Sequence, residues 1–180
     1  MTMLRRAIAA VMLAGAVSAS AGCGYALAGR GNTLPTHVRT IGVPQCINHS
    51  STPDIDGVIT DRLRQEFQGR GRYLINPNND GADATLSCTI TNVTIVPTDI
   101  GVDRLPTRYA IVVTASMEFK DVREDKVLYS NPSFQARDEF SMTGQSLLDA
   151  SAFLRSDAQA SQRLAQSFAR TIVTSILEAF

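Results

Sequence analysis

Histidine is scarce in this 180-residue chain. There are two, His37 and His49, and each stands alone in the sequence. His37 opens a strand-like stretch and His49 lies in a loop-like one, so both read as ordinary surface or hydrogen-bonded side chains. The familiar catalytic signatures are missing as well. There is no G-x-S-x-G, P-loop, G-x-G-x-x-G or H-E-x-x-H. Carboxylates are scattered: Asp54 and Asp56 look like a helix start, Glu124 and Asp125 like a turn. Nothing recommends a catalytic centre, so the chain reads as a non-enzyme with no cofactor and no metal site. Charge of one sign is lacking too, since 17 Lys and Arg balance 17 Asp and Glu. A polyanion binder is normally basic overall, which argues against nucleic acid as the main partner.

Long apolar runs are also absent. The apolar stretch near the start, Ala7 to Ala19, carries no charge over its 13 residues. As a helix it spans roughly 20 Å, whereas a bilayer core takes about 20 apolar residues. Behind Arg5 and Arg6 it fits the apolar region of a secretory signal peptide instead. No complete twin-arginine pattern surrounds those arginines, so the general secretory route is the simpler one. The stretch ends in Ser20-Ala21-Gly22-Cys23. Ala21, Gly22 and Cys23 resemble a bacterial lipobox, in which the cysteine thiol is diacylated and becomes the new N-terminus. Ser20 departs from the usual Leu, and ordinary cleavage at a nearby A-x-A-like site is the alternative. Gly24, rather than Asp, follows the cysteine, and by the same resemblance points to the outer membrane. Two or three acyl chains would make the anchor permanent, where one myristoyl-sized chain gives only marginal binding.

Residues 1–22 therefore read as a signal peptide, 23–36 as a lipidated tether and 37–180 as one domain. Loss of Arg5 and Arg6 leaves 15 basic residues against 17 acidic ones. Three cysteines are present. With Cys23 assigned to lipidation, Cys46 and Cys88 remain, both in apolar, strand-like surroundings. An oxidising compartment permits a bridge between them; as free thiols they would behave as small buried hydrophobes. Without a third or fourth ligand close by, they make a poor zinc site.

The rest of the chain alternates between two periods. "VRTIGVP" (38–44) reads as a first strand and "QCINHSST" as a loop. Thr52, Pro53 and Asp54 suit a helix start. Ile55, Val58, Ile59, Leu63 and Phe67 then mark one helical face, ending at Gly69 and Gly71. "RYLI" (72–75) is a short strand. In 84–97, Ala84, Leu86, Cys88 and Ile90 alternate with Thr and Ser, and the phase slips at Asn92, which predicts a bulge. Residues 97–106 read as a loop. In 107–121, Tyr109, Ile111, Val113, Ala115, Met117 and Phe119 share a face. A strand over 127–140 is interrupted at Asn131-Pro132, which predicts an edge position. A long helix, roughly Leu147 to Glu178, carries a stripe of Phe153, Ala160, Leu164, Phe168, Ile172 and Ile176. Its Ser- and Gln-rich outer face is too poorly charged for a membrane-surface helix.

The order is β-α-β-β-β-β-α. It predicts an α+β fold, a two-layer α/β sandwich with a mostly antiparallel sheet and two helices on one face. Arg104 and Arg108 flank Leu105-Pro106 at the end of the two longest strands. Such a pair can grip a phosphate or carboxylate, or can simply be a solvated loop pair.

The combination "GCGYALAGRGNTLP", "IGVPQCINHSSTPDIDGVITDRLRQEFQGRGRYLI", "PTRYAIVVTASMEFKDV…KVLYSNPSFQARDEF" and the final helix resembles the lipopolysaccharide-assembly lipoprotein family, LptE. Cys46 departs from the aromatic expected at its position. The resemblance implies a non-enzymatic α/β sandwich on the periplasmic side of the outer membrane, anchored through lipid on Cys23. It implies a place in the lumen of an LptD-type β-barrel, a role in assembling that barrel, and binding of lipopolysaccharide during export. Arg104 and Arg108 are then the candidate lipopolysaccharide contacts. The competing readings are a periplasmic lipid carrier or accessory lipoprotein of an ABC-type transporter, and a lipid-anchored hydrolase.

Overall fold

A computed structural model describes residues 34–70, 72–102, 104, 106–141, 152–154 and 157–179. The expected leader (1–22), Cys23 and the expected tether up to residue 33 lie outside the described residues, as do residues 142–151, where the last helix is expected to begin.

Eight elements follow one another: β1 (Thr40–Gly42), β2 (Ile47–Asn48), α1 (Ile55–Gly69), β3 (Leu74–Asn76), β4 (Ala84–Ile100), β5 (Pro106–Asp121), β6 (Lys126–Ser141) and α2 (Ala158–Glu178). They form an α+β sandwich. The sheet order is β3-β1-β4-β5-β6, with β2 also paired to β4. The three long strands are antiparallel, as their alternation predicts, while β1, β2 and β3 join by parallel pairing. The β2 bridge was not foreseen in "QCINHSST"; two residues are too few to display a period.

The core lies between the sheet and the two helices. Phe67 of α1 stacks over Phe119 of β5, with ring centroids 6.3 Å apart. Phe168 of α2 meets Phe134 of β6 edge-on at 5.0 Å. Ile59, Leu63, Leu86, Ile90, Ile111 and Leu164 are fully buried between them. Each such side chain contributes about 1.5–3 kcal/mol on leaving water, which fixes the face that each element presents. Across the helix–helix seam, Arg62 donates to Gln162 Oε1 and Arg70 to Thr174 Oγ1.

The structure moves three boundaries. The helix start at Thr52-Pro53 shifts: Asp54, at φ 63°, occupies the N-cap without a capping bond from its side chain. Its left-handed backbone turns the chain two residues later than expected. The Thr52 hydroxyl is buried with no partner among the described residues. The expected 97–106 loop is shorter, because β4 runs to Ile100 and β5 begins at Pro106. Past the β2 pairing at Thr89 and Ile90, β4 has a strand neighbour on one side only among the described residues, so Pro97 is accommodated with a register shift beside it. In the last helix, Asp157 caps α2 by accepting the Ala160 N–H at 2.9 Å, so that helix starts at Ala158 rather than Leu147. Residues 152–154 are helical as well. The predicted bulge appears as a register shift between Ile90 and Asn92, and Pro132 lies on the edge strand β6.

Candidate functional site

The two longest strands run past the core. Val93 is the last fully buried residue of β4; from Val96 onward the strand is exposed. Beyond it the β4–β5 hairpin ends in a tip where Ile100 and Val102 are solvent-exposed. Arg104 lies in this tip. Its N–H donates to Gly101 O at 3.0 Å and its φ is 63°. Arg108 stands four residues on, exposed on β5, directly across from Asp99 of β4 and Ser141 of β6. Both sequence candidates therefore belong to one end of one hairpin. Neither guanidinium takes part in an ion pair among the described residues. The sequence could not reveal that Asp99 is the cross-strand neighbour of Arg108, because the register shifts twice between Pro97 and Ile100. Leu105 lies outside the described residues.

The second feature is the sheet face turned away from the core. Its positions follow from the register. Across β4, β5 and β6 the rows run Ser87–Glu118–Ser130, Asn92–Thr114–Gln135 and Thr94–Val112–Arg137. Val112 apart, these rows are polar and of mixed charge. Alternation makes this inevitable: with Leu86, Cys88, Ile111, Val113, Phe134 and Ala136 committed to the core, their neighbours point the other way.

Cys46 and Cys88 form a disulfide with Cα atoms 4.7 Å apart. Cys46 precedes β2, whose Ile47 pairs with Thr89, so the parallel bridge brings the two cysteines together. The Cys46 N–H also donates to Thr60 Oγ1 at 2.9 Å, which ties the loop to α1.

At the opposite end of β5, His37 is a hydrogen-bonded histidine whose partner is remote in sequence. Its Nε2 lies 2.7 Å from Oδ2 of Asp121, which is fully buried. Oδ1 of Asp121 accepts the N–H groups of Arg123 and Glu124. Burial alone would raise this carboxyl. The Glu124 N–H, the His37 imidazole and the Arg123 N–H outweigh it and hold it below the ordinary carboxylate range. Asp83 is similar: the N–H groups of Thr40 and Arg39 lower its carboxyl. The only signal for Asp121 in the sequence was local, an Asp placed to bond the turn residues two and three positions on; its partner 84 residues away left none.

No helix among the described residues is long and apolar enough to cross a membrane. No curated protein matches the chain in sequence. Among solved structures, the hypothetical protein CT253 from Chlamydia trachomatis is 11% identical, with 77% of this chain and 95% of that chain covered and a TM-score of 0.52. That likeness shows a common fold. Weaker similarities include the PelC dodecamer from Paraburkholderia phytofirmans (18% identical, 83% and 94% covered, TM-score 0.48). Another is the lipoprotein GNA1162 from Neisseria meningitidis (16% identical, 76% and 99% covered, TM-score 0.42). The sequence itself carries the stronger finding. The family model LptE, described as lipopolysaccharide-assembly, matches residues 38–176, so this chain belongs to the LptE family.

Proposed function

We propose that this protein is an outer-membrane lipoprotein that plugs and helps to assemble an LptD-type β-barrel and assists lipopolysaccharide transport to the outer leaflet. Cys23 carries the lipid anchor in this reading, and the role is not catalytic. The family match over residues 38–176 carries the proposal. The outward sheet face supports it physically. A barrel lumen of this class is polar, and rows of Ser, Thr, Asn and Gln with mixed charges suit such a wall better than an apolar partner or a lipid would.

Arg104 and Arg108 are the proposed lipopolysaccharide contacts. Guanidinium groups bind phosphate in a two-pronged geometry, and both arginines stand on the exposed hairpin end rather than inside the core. Affinity capture from detergent-solubilised outer membranes tests the main reading. A large β-barrel is expected to co-purify, and capture that never recovers one sinks the proposal. The double substitution Arg104→Glu with Arg108→Glu is expected to weaken lipopolysaccharide binding at least tenfold while circular dichroism stays native. Unchanged binding would move the contact to another surface.

A further inference from the structure

Asp121 poses a question that the transport role leaves open. It is fully buried, yet among the described residues no lysine or arginine lies within ion-pair distance of it. Buried carboxylates are ordinarily paired with a permanent cation or coordinate a metal. Among the described residues the only side-chain partner of Asp121 is the His37 imidazole. The turn that follows adds a third group. With Oδ1 of Asp121 held by the N–H groups of Arg123 and Glu124, the ligand atoms of His37, Asp121 and Glu124 come within 4.8 Å of one another.

We propose that His37, Asp121 and Glu124 bind one divalent transition-metal ion, with zinc the best chemical match. One imidazole and two carboxylates form a mixed nitrogen–oxygen set of the kind zinc accepts, with water completing the shell. The two backbone N–H bonds on Oδ1 fix the direction of Oδ2, the oxygen bonded to His37 and the one that would ligate, the usual task of an outer shell. Access is open. The His37 side chain is 20% exposed and lines a surface depression with Thr36, Arg39, Asp83 and Arg123. The ion would replace the His37–Asp121 hydrogen bond with two coordination bonds. It would thereby fasten the segment that precedes β1 to the β5–β6 turn, 84 positions away. Arg39 and Arg123 face the same depression, and their charges weaken affinity for a cation without removing any ligand.

The test uses the protein purified from membranes in detergent, stripped with a chelator and titrated with zinc alone by calorimetry. One zinc per chain is expected. His37→Ala and Glu124→Gln should each weaken binding at least tenfold, Arg123→Gln should tighten it, and His49→Ala should leave it unchanged. Zinc should raise the melting temperature of the parent protein but not of the His37→Ala variant. No zinc binding, or binding that survives the combined His37→Ala and Glu124→Gln change, overturns the site and leaves a simple His–Asp pair. Glu124 is an exposed turn residue, so Glu124→Gln decides the matter even if His37→Ala does not fold.

Discussion

Single residues show how a carboxylate serves the backbone here. Asp83 Oδ2 accepts the N–H groups of Arg39 at 3.0 Å and Thr40 at 2.9 Å, which start β1 where it enters the sheet. Those bonds favour the ionised form and lower its pKa. The sign follows: the stabilisation is present above the unfolded carboxyl value, about 3.9, and is lost as pH falls through the lower folded value. Asp83→Asn keeps an acceptor but loses the charge, so it should cost about 1 kcal/mol at neutral pH. Urea unfolding from pH 7 to pH 3, with chelator present, should show the gap between parent and variant closing in the acid range. A gap independent of pH would refute the role of the charge.

Elements are joined where their own lengths are inadequate. β2 has two residues and β1 and β3 have three each, too few to hold this side of the sheet by hydrogen bonds alone. The Cys46–Cys88 disulfide spans 42 positions and encloses β2, α1 and β3 in one covalent loop. Closing a loop of that size in the unfolded chain is worth about 2–4 kcal/mol. Replacing both cysteines with serine should lower stability by that amount, read as a shift in the urea midpoint. Substituting both removes the bridge without leaving one reactive thiol. An unchanged midpoint would mean that packing alone holds this corner.

At the largest scale the sheet is two-faced: one face is committed to Phe67, Phe168 and the helices, the other is mostly polar and uncovered by them. If that second face meets the wall of a barrel, long charged side chains on it should disturb docking and spare folding. Ser87→Arg with Thr94→Arg alters two exposed positions on it. Far-ultraviolet dichroism and the melting temperature should stay near those of the parent, while barrel recovered by affinity capture should fall about tenfold. Full recovery would assign the docking surface to the helices or to an edge.

What was legible in the sequence rested on local periods. Period two along 84–121 marked β4 and β5 and the face each would bury; the slip at Asn92 marked the bulge; the 3–4 spacing from Ile55 to Phe67 and from Ala160 to Ile176 marked both helices. These patterns are readable because a hydrophobic face must recur at the pitch of its own backbone, so the α+β class follows from them. What only the tertiary structure decided is pairing across distance: the Cys46–Cys88 bond, Asp99 opposite Arg108, and His37 beside Asp121. Separations of 42 and 84 positions leave no local trace, and each depends on strand register and bulges, which packing sets only when the whole core closes.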